Sequence, residues 1–254
     1  MIHLLRAKGW SMVIAMACMA LAGCGQERTF GEYYLHGAAW LNQDGNDRAI
    51  SELDRVIRAQ PDNTAAYLRR AEIKTKLDRF DEALTDLDHA VRLQPDNPEI
   101  FQRRADIHLE IGQFDAAASS IDHIVRMRPN DPSAYMTRAV FRFQAEQYRA
   151  TISDLDKVIA MRPDHPSAYY FRGLAWSNSY QPWLALADYD KHIQINPNNA
   201  HAYGSRGVAK ERLGQHKEAL ADYRMCLEML DDSPRHNRMR VAVERRVREL
   251  KNSQ

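Results

Sequence analysis

The most reactive side chains in this 254-residue sequence are the thiols of Cys18, Cys24 and Cys226. A thiol serves as a nucleophile, a metal ligand, a lipid attachment site or half of a disulfide, and its surroundings indicate which of these to expect. Cys18 and Cys24 lie within or directly after an apolar run over residues 12–23, whereas Cys226 lies among charged residues. The two environments predict different roles.

The first 23 residues have the composition of an export signal. Arg6 and Lys8 are their only charged residues, and the apolar run that follows is too short for a membrane-spanning helix, which needs about 20 residues. The run ends in the sequence LAGC at 21–24, which resembles the lipobox of bacterial lipoproteins. The resemblance implies cleavage before Cys24 and acylation of its thiol and new amino group. An ordinary signal peptide that contains a cysteine is the alternative.

Lipidation of Cys24 implies attachment to a membrane, and two or more acyl chains hold a protein there stably. By resemblance to Gram-negative lipoproteins, Gly25 after the cysteine implies the periplasmic face of the outer membrane. Residues 25–29 form a linker that reaches only about 17 Å when extended, so we expect the folded part close to the bilayer.

No pattern in the sequence predicts a catalytic residue, a metal site or a cofactor. The ten histidines include no His-x-x-x-His pair, and the sequence contains no Gly-rich phosphate loop. Cys226 falls at a packing position of the repeat described below, which favours a buried and inert thiol over a nucleophile. We therefore expect a protein that is not an enzyme.

The charge balance argues against nucleic acid as a partner. Without Arg6 and Lys8, the chain has 33 basic and 34 acidic residues. Residues 234–254 are an exception, with seven basic residues against two acidic ones. A solvated face of a terminal helix explains this excess, and contact with an acidic partner or anionic lipid is the alternative.

Prolines spaced 34 residues apart set the frame for the rest of the chain. They are Pro61, Pro95, Pro129, Pro163 and Pro197. With each proline at position 32, the chain divides into six units: 30–63, 64–97, 98–131, 132–165, 166–199 and 200–233. A fixed period of this length is typical of repeats that stack to share one core.

Within each unit, bulky and small residues recur at a spacing of four. Position 4 is Tyr or Phe and position 8 is Gly or Ala, while position 20 is Ala or Thr and position 24 is Leu, Ile or Tyr. A spacing of four places both members of each pair on one face of a helix. Each unit is therefore predicted to form two amphipathic helices, with bulky side chains filling the space beside small ones.

This pattern resembles the tetratricopeptide repeat family over residues 30–233. The resemblance implies an all-α fold, a right-handed solenoid of six helical hairpins whose first helices line a groove. Residues 234–254 begin after Ser233 with a proline and continue with apolar residues at helical spacing, so we expect a C-terminal capping helix. The motif is specific for fold and much less so for function.

Arginine occupies position 7 in units two to six, and an acidic residue occupies position 23 in every unit except the third, which has Ser120. Ion pairs between the two helices of a hairpin explain this pattern. A row of arginines that binds anions is the alternative, and the carboxylates argue against it.

Positions 2, 5, 9 and 12 of the first helices, here called the inner face, lie beside the core stripe and line the expected groove. Units two and three place Glu72 and Asp106 there, whereas units four and five place apolar residues. The apolar set is Met136, Val140, Phe143, Tyr170 and Leu174. Such a surface suits a partner helix or extended peptide with basic and apolar residues. The alternative is that the apolar residues pack between neighbouring units.

Together these features predict a membrane-anchored adaptor that binds other envelope proteins, as in pilus or secretion assembly or the recruitment of cell-wall enzymes. One alternative is a structural lipoprotein that self-assembles into homo-oligomers. Another is an enzyme subunit, which would need a convergent polar site that the sequence does not show.

Overall fold

The computed structural model describes residues 43–231 and 233–252, all of them in α-helices or short connections. The predicted signal, Cys24, the linker and residues 30–42, where the first helix of hairpin one was predicted, lie outside the described residues. The chain divides into two compact units, residues 1–63 and 64–254. In the first of these, α1 (Gln43–Ala59) buries Ala49 and Ile50 on its apolar stripe.

The second unit consists of eleven helices joined by short turns. They are α2 (Thr64–Lys76), α3 (Phe80–Leu93), α4 (Pro98–Glu110), α5 (Phe114–Met127), α6 (Pro132–Gln144), α7 (Tyr148–Met161), α8 (Pro166–Asn178), α9 (Pro182–Ile195), α10 (Ala200–Arg212), α11 (His216–Met229) and α12 (Pro234–Asn252). Each helix packs against the next, so α2 to α11 form hairpins two to six. The predicted all-α hairpin fold is confirmed. None of the described helices is long and apolar enough to cross a bilayer.

Polar side chains fix the starts of the first helices. Asn97 and Asp131 each accept a hydrogen bond from the backbone N–H two residues ahead, and Asn199 accepts from the N–H groups two and three residues ahead. A proline follows the first two caps because its missing N–H needs no partner at the first helical position. Even His165, a weaker cap, accepts a 3.3 Å bond from the N–H of Ala168 through Nδ1.

In hairpins two to six, the two helices meet at a turn whose position 15 has a positive φ. Gly112 and Gly214 stand there in hairpins three and six, but Asp78, Glu146 and Tyr180 adopt φ of 57° to 59° in the others. The next residue donates its N–H to a carbonyl five residues back, which ends the first helix in a Schellman-type turn. Three hairpins therefore hold a residue with a side chain in a conformation that favours glycine.

Residue size at positions 8 and 24 is matched within each hairpin. Hairpins two and four pair Ala71 and Ala139 with a leucine, and all these residues are buried. In hairpin five, a Cβ on Gly173 would lie 2.7 Å from Cε1 of Tyr189, and Gly207 and its tyrosine in hairpin six are equally close. The predicted exchange of volume between these positions is confirmed.

Helix α12 covers the apolar surface left by hairpin six. Val243 and Leu250 are 6% exposed and belong to one cluster with Tyr223 and Cys226. The guanidinium of Arg246 donates to both carboxylate oxygens of Glu211 at 3.0 Å, which fixes α12 to α10. The predicted capping helix is confirmed.

Candidate protein-binding surface

Arginines at position 7 pair with buried aspartates at position 23. In hairpins two, four, five and six, Nε of the arginine lies 2.9–3.0 Å from one carboxylate oxygen and Nη2 lies 2.5–2.6 Å from the other. The aspartates are only 1–4% exposed. Burial alone would lower the pKa of Arg172, but its bonds to Asp188 and Asp156 raise it, so the guanidinium stays charged. Burial raises the pKa of Asp188, and the bonds from Arg172 oppose this. The ion-pair interpretation is confirmed.

Each arginine of hairpins three to six also contacts a carboxylate at position 25 of the preceding hairpin. The Nη1 to oxygen distances are 2.8 Å for Arg104–Asp88, 2.7 Å for Arg138–Asp122, 2.6 Å for Arg172–Asp156 and 2.6 Å for Arg206–Asp190. The sequence interpretation missed this link, although aspartate recurs at position 25 of units one to five and is replaced by Arg224 in the sixth. The guanidinium groups therefore join neighbouring hairpins as well as the helices within them.

Glu72 and Asp106, two of the predicted inner-face residues, line one pocket of about 200 Å³ between α2 and α4. Ala71, Leu87 and Ile107 contribute its apolar lining. The pocket brings the two carboxylates to one place, although the sequence places them in different hairpins.

The sequence predicted an acidic surface here, but the pocket contains cations as well as the two carboxylates. Nη1 of Arg69 lies 2.7 Å from Glu72, and Nζ of Lys76 lies 2.8 Å from it. Burial raises the pKa of Glu72, but the bonds from Lys76 and Arg69 outweigh it and hold this pKa below its usual range. The cations stand at positions 6 and 13, outside the set considered from sequence, and Arg103 adds a third to the pocket. The surface is therefore of mixed charge.

The five apolar inner-face residues are all half-buried. Met136 and Val140 pack against the core cluster of hairpins three and four, while Tyr170 and Leu174 pack against the cluster around Tyr189. These contacts favour the packing alternative for much of their area. Whether the rest binds a partner stays a prediction.

One contact joins the apolar inner face across two hairpins. Phe143 and Tyr170 both meet the ring of Phe171 edge-on, at centroid distances of 6.2 Å and 5.9 Å. The sequence interpretation did not include Phe171, which stands at position 6.

The turn between α8 and α9 exposes a second apolar surface, here called the aromatic turn: Tyr180, Trp183 and Leu184. Their exposed fractions are 86%, 57% and 38%, and the first two are the largest among the described hydrophobic residues. The other complete hairpins carry Asp, Gly or Glu at position 15 and Asp, Arg or Lys at position 18. That departure from the other units is the signal that sequence analysis overlooked. Exposed tyrosine and tryptophan are typical of protein interfaces.

No group of three or more His, Cys, Asp or Glu in the described part of the chain is arranged to hold a metal ion. Cys226 is a free thiol with no exposed surface, and burial raises its pKa to about 11. It is therefore protonated and unreactive at neutral pH, as predicted.

Comparisons with known protein families identify the same repeat that the sequence pattern predicted. Three family models described as tetratricopeptide repeat match residues 34–98, 77–140 and 200–229. None of the curated proteins matches the sequence significantly.

Among solved structures, MamA matches at 26% identity and a TM-score of 0.59, covering 65% of this chain and 91% of MamA. MamA residues 41 to the end from Desulfovibrio magneticus RS-1 match at 22% identity and 0.59, covering 65% and 94%. YrrB, described as a TPR protein with an unusual peptide-binding site, matches at 14% identity and 0.58, covering 71% and 93%. The last two likenesses concern the fold alone.

Proposed function

We propose, from the premise that the chain is a tetratricopeptide repeat protein, that it is a non-enzymatic scaffold that binds other proteins. The observation that carries this proposal is a division between repeated and variable positions. The core and ion-pair positions recur from hairpin to hairpin, whereas the outward positions of the first helices differ in each. At position 9 the described residues are Glu72, Asp106, Val140, Leu174 and Val208, all partly or fully exposed. Side chains that vary on a regular frame suit selective binding of an extended partner.

The inner face indicates the chemistry of that partner. Hairpins two and three present paired charges around an apolar pocket, and hairpins four and five present half-buried apolar and aromatic side chains. A peptide with both charged and apolar residues complements this sequence of surfaces. The description of YrrB as a peptide-binding protein supports the same mode of binding.

The aromatic turn supplies a second contact for a protein partner. Trp183 and Tyr180 together expose large rings that the fold does not use, and such rings contribute strongly when a partner covers them. Because the turn lies at the end of the hairpin, a partner that reaches it need not occupy the inner face.

Affinity capture from crosslinked cell envelopes tests the two surfaces separately. We expect Asp106→Lys to reduce capture of inner-face partners at least tenfold, and Trp183→Ala to do the same for partners of the aromatic turn. Glu228→Lys, an exposed charge reversal on the second helix α11, is the matched control and should leave capture unchanged. If all three variants capture the same proteins as the wild type, neither surface binds a partner.

We further propose that the scaffold is attached to the periplasmic face of the outer membrane through a lipid on Cys24. The LAGC sequence at 21–24 and Gly25 support this assignment, together with an apolar run too short to span a bilayer. The partners are then envelope proteins, such as components of pilus or secretion assembly or cell-wall enzymes.

Metabolic labelling with a clickable palmitate analogue tests the anchor. We expect Cys24→Ala to lose the label and to leave the membrane fraction, whereas Cys18→Ala, in the same apolar run, keeps both. Equal labelling of the two variants would place the lipid elsewhere.

Self-assembly into homo-oligomers is the competing function for the same exposed surfaces. Sedimentation of the chain from Gly25 onward distinguishes the two. A monomer at all concentrations supports the adaptor, and a concentration-dependent oligomer that Trp183→Ala dissolves supports self-assembly.

A further inference from the structure

The pocket between α2 and α4, here called the α2–α4 pocket, has room for part of a partner side chain. Its volume of about 200 Å³ corresponds to about six water molecules. Position 12 accounts for part of this space, because hairpin two has Thr75 there and hairpin four has the much larger Phe143. The hydroxyl of Thr75 donates to the backbone oxygen of Ala71 at 2.9 Å, so it needs no partner in the pocket.

The inner wall of the pocket suits hydrocarbon. Ala71, Leu87 and Ile107 contribute to the lining, and all three belong to the apolar interior of hairpins two and three. Methylene groups that lie against such a wall leave water, which favours binding. The wall contributes no charge, so selectivity for a charged partner group must come from the rim.

The two cations of the rim are already bound by carboxylates of the chain. Nζ of Lys76 lies 2.8 Å from Glu72, and Nη2 of Arg103 donates to Glu99 at 2.8 Å. Glu72 also receives a bond from Arg69 at 2.7 Å. These groups satisfy one another, so they do not call for a charged partner.

Two other carboxylates of the rim, Asp106 and Glu110, form no ion pair with any of the described residues. Both are exposed, and their spacing of four places them side by side on α4. Asp106 accepts one bond at 2.9 Å, from the neutral amide of Gln102. The lining contains three carboxylates and two cations, and the partners Arg69 and Glu99 add one of each. One negative charge is therefore left over.

A hydrocarbon wall below two free carboxylates matches a side chain with an apolar stem and a cationic head. Lysine and arginine both have this form. Arginine fits better, because its planar guanidinium can donate to two carboxylates at once and is more weakly hydrated than an ammonium group. An acidic side chain would be repelled, and a purely apolar one would leave the negative charge unbalanced.

We propose that the α2–α4 pocket binds an arginine side chain of a partner peptide. Its methylene groups lie against Ala71, Thr75 and Ile107, and its guanidinium lies between Asp106 and Glu110. This inference rests on the proposed binding of peptides by the inner face. It adds the type of residue that hairpins two and three select.

Selection of random linear peptides displayed on phage, with the purified full chain as the target, supplies the probe. We expect the recovered peptides to be enriched in arginine. One of them is then synthesised with a fluorescent label, together with a copy that has citrulline in place of the arginine. Citrulline keeps the shape of the side chain and lacks its charge, so we expect the copy to bind the wild type about three- to tenfold more weakly by fluorescence anisotropy.

The double variant Asp106→Asn/Glu110→Gln locates the arginine. It removes both charges and keeps the shape of the rim, and both positions are exposed, so the fold should be unaffected. We expect this variant to bind the two peptides equally, with the affinity that the wild type has for the citrulline copy. Asp96→Asn is the matched control, because it removes an exposed carboxylate outside the pocket, and it should discriminate as the wild type does.

The possible results separate this inference from the proposed function. If the wild type binds the arginine and citrulline peptides equally, the inference is wrong, while binding of a peptide still stands. If the double variant discriminates as the wild type does, the arginine binds elsewhere and the inference is equally wrong. If selection recovers no peptide, the inner face does not bind linear peptides, and both proposals for that face fail.

Discussion

At the scale of single residues, the buried carboxylates matter most because they are each bound by several N–H groups. Asp154 accepts from Nε and Nη2 of Arg138 and from Nη1 of Arg142, and it is 2% exposed. Replacing this group removes the buried partner of two cations, which then keep only their bonds to the more exposed Asp122. The sequence predicted these position-7 and position-23 pairs because both residue types recur at fixed places. It did not predict the bonds of Arg142, because position 11 varies between hairpins.

We expect Asp154→Asn to lower the free energy of unfolding by about 3–5 kcal/mol, since the isosteric amide removes the charge from a buried network. Urea denaturation followed by circular dichroism measures the effect. Asp156→Asn is the control, because its carboxylate is 55% exposed and its bond to Arg172 is worth less than about 1 kcal/mol. Similar losses in the two variants would show that burial does not set the strength of these pairs.

Glu72 predicts a pH dependence of stability. Its folded pKa lies below the ordinary value of 4.5, so the ionised group contributes stability above that pH and the contribution disappears as the pH falls through the folded pKa. Because the side chain is 30% exposed, we expect Glu72→Gln to cost less than about 1 kcal/mol at pH 7. Parallel stability curves for the two proteins from pH 7 to pH 3 would contradict this.

At the scale of helices and turns, much of the architecture follows from the sequence because caps and glycines act locally. Asn97 and Asp131, each followed by a proline, indicate where helices begin, and the structure uses both as caps. The turns are harder to predict from the sequence. Only Gly112 and Gly214 indicate a left-handed residue at position 15, yet Asp78, Glu146 and Tyr180 adopt the same conformation. The Schellman-type turn requires that φ, and these three residue types give no local signal of it.

We expect Glu146→Gly to raise the free energy of unfolding by about 0.5–1 kcal/mol. Relief of the left-handed conformation is worth roughly 1–2 kcal/mol, and the added freedom of glycine in the unfolded chain offsets part of it. The reverse change, Gly214→Ala, should cost about 1 kcal/mol through the backbone alone, because nothing lies within 4 Å of the new Cβ. Chemical denaturation of both variants measures the two effects, and the same sign for both would refute the explanation.

At the scale of the whole molecule, the 34-residue period predicted the stacked hairpins. The charge and packing of the inner-face residues became clear only from the structure. The residue types that recur identify the features that the units share, namely core volume and ion pairs. Their recurrence does not show which side chains pair on the surface, so the cations around Glu72 were missed. The packing of Tyr170 was one of two alternatives that the sequence left open. The aromatic turn was missed because it occurs in one unit only.

The terminal helix should govern the stability of the last hairpin. Truncation after residue 232 uncovers the cluster of Tyr223, Cys226 and Leu230, so we expect hairpin six to open more often. Alkylation of Cys226 at pH 8 should then become at least tenfold faster, because opening exposes the thiol and lowers its raised pKa. Removal of residues 253–254 alone is the control and should leave the rate unchanged. Equal rates in both truncations would mean that α12 does not protect hairpin six.

The carboxylate at position 25 makes the two ends of the stack of hairpins chemically different. The second helices of hairpins two to five each carry an acidic acceptor for the arginine of the hairpin that follows, so each of these joints is made by the same kind of ion pair. Arg224 interrupts this rule in hairpin six, because a further arginine would meet a like charge there. A further hairpin stacked on hairpin six would therefore lack this ion pair, and the side that it would occupy is covered by α12 instead.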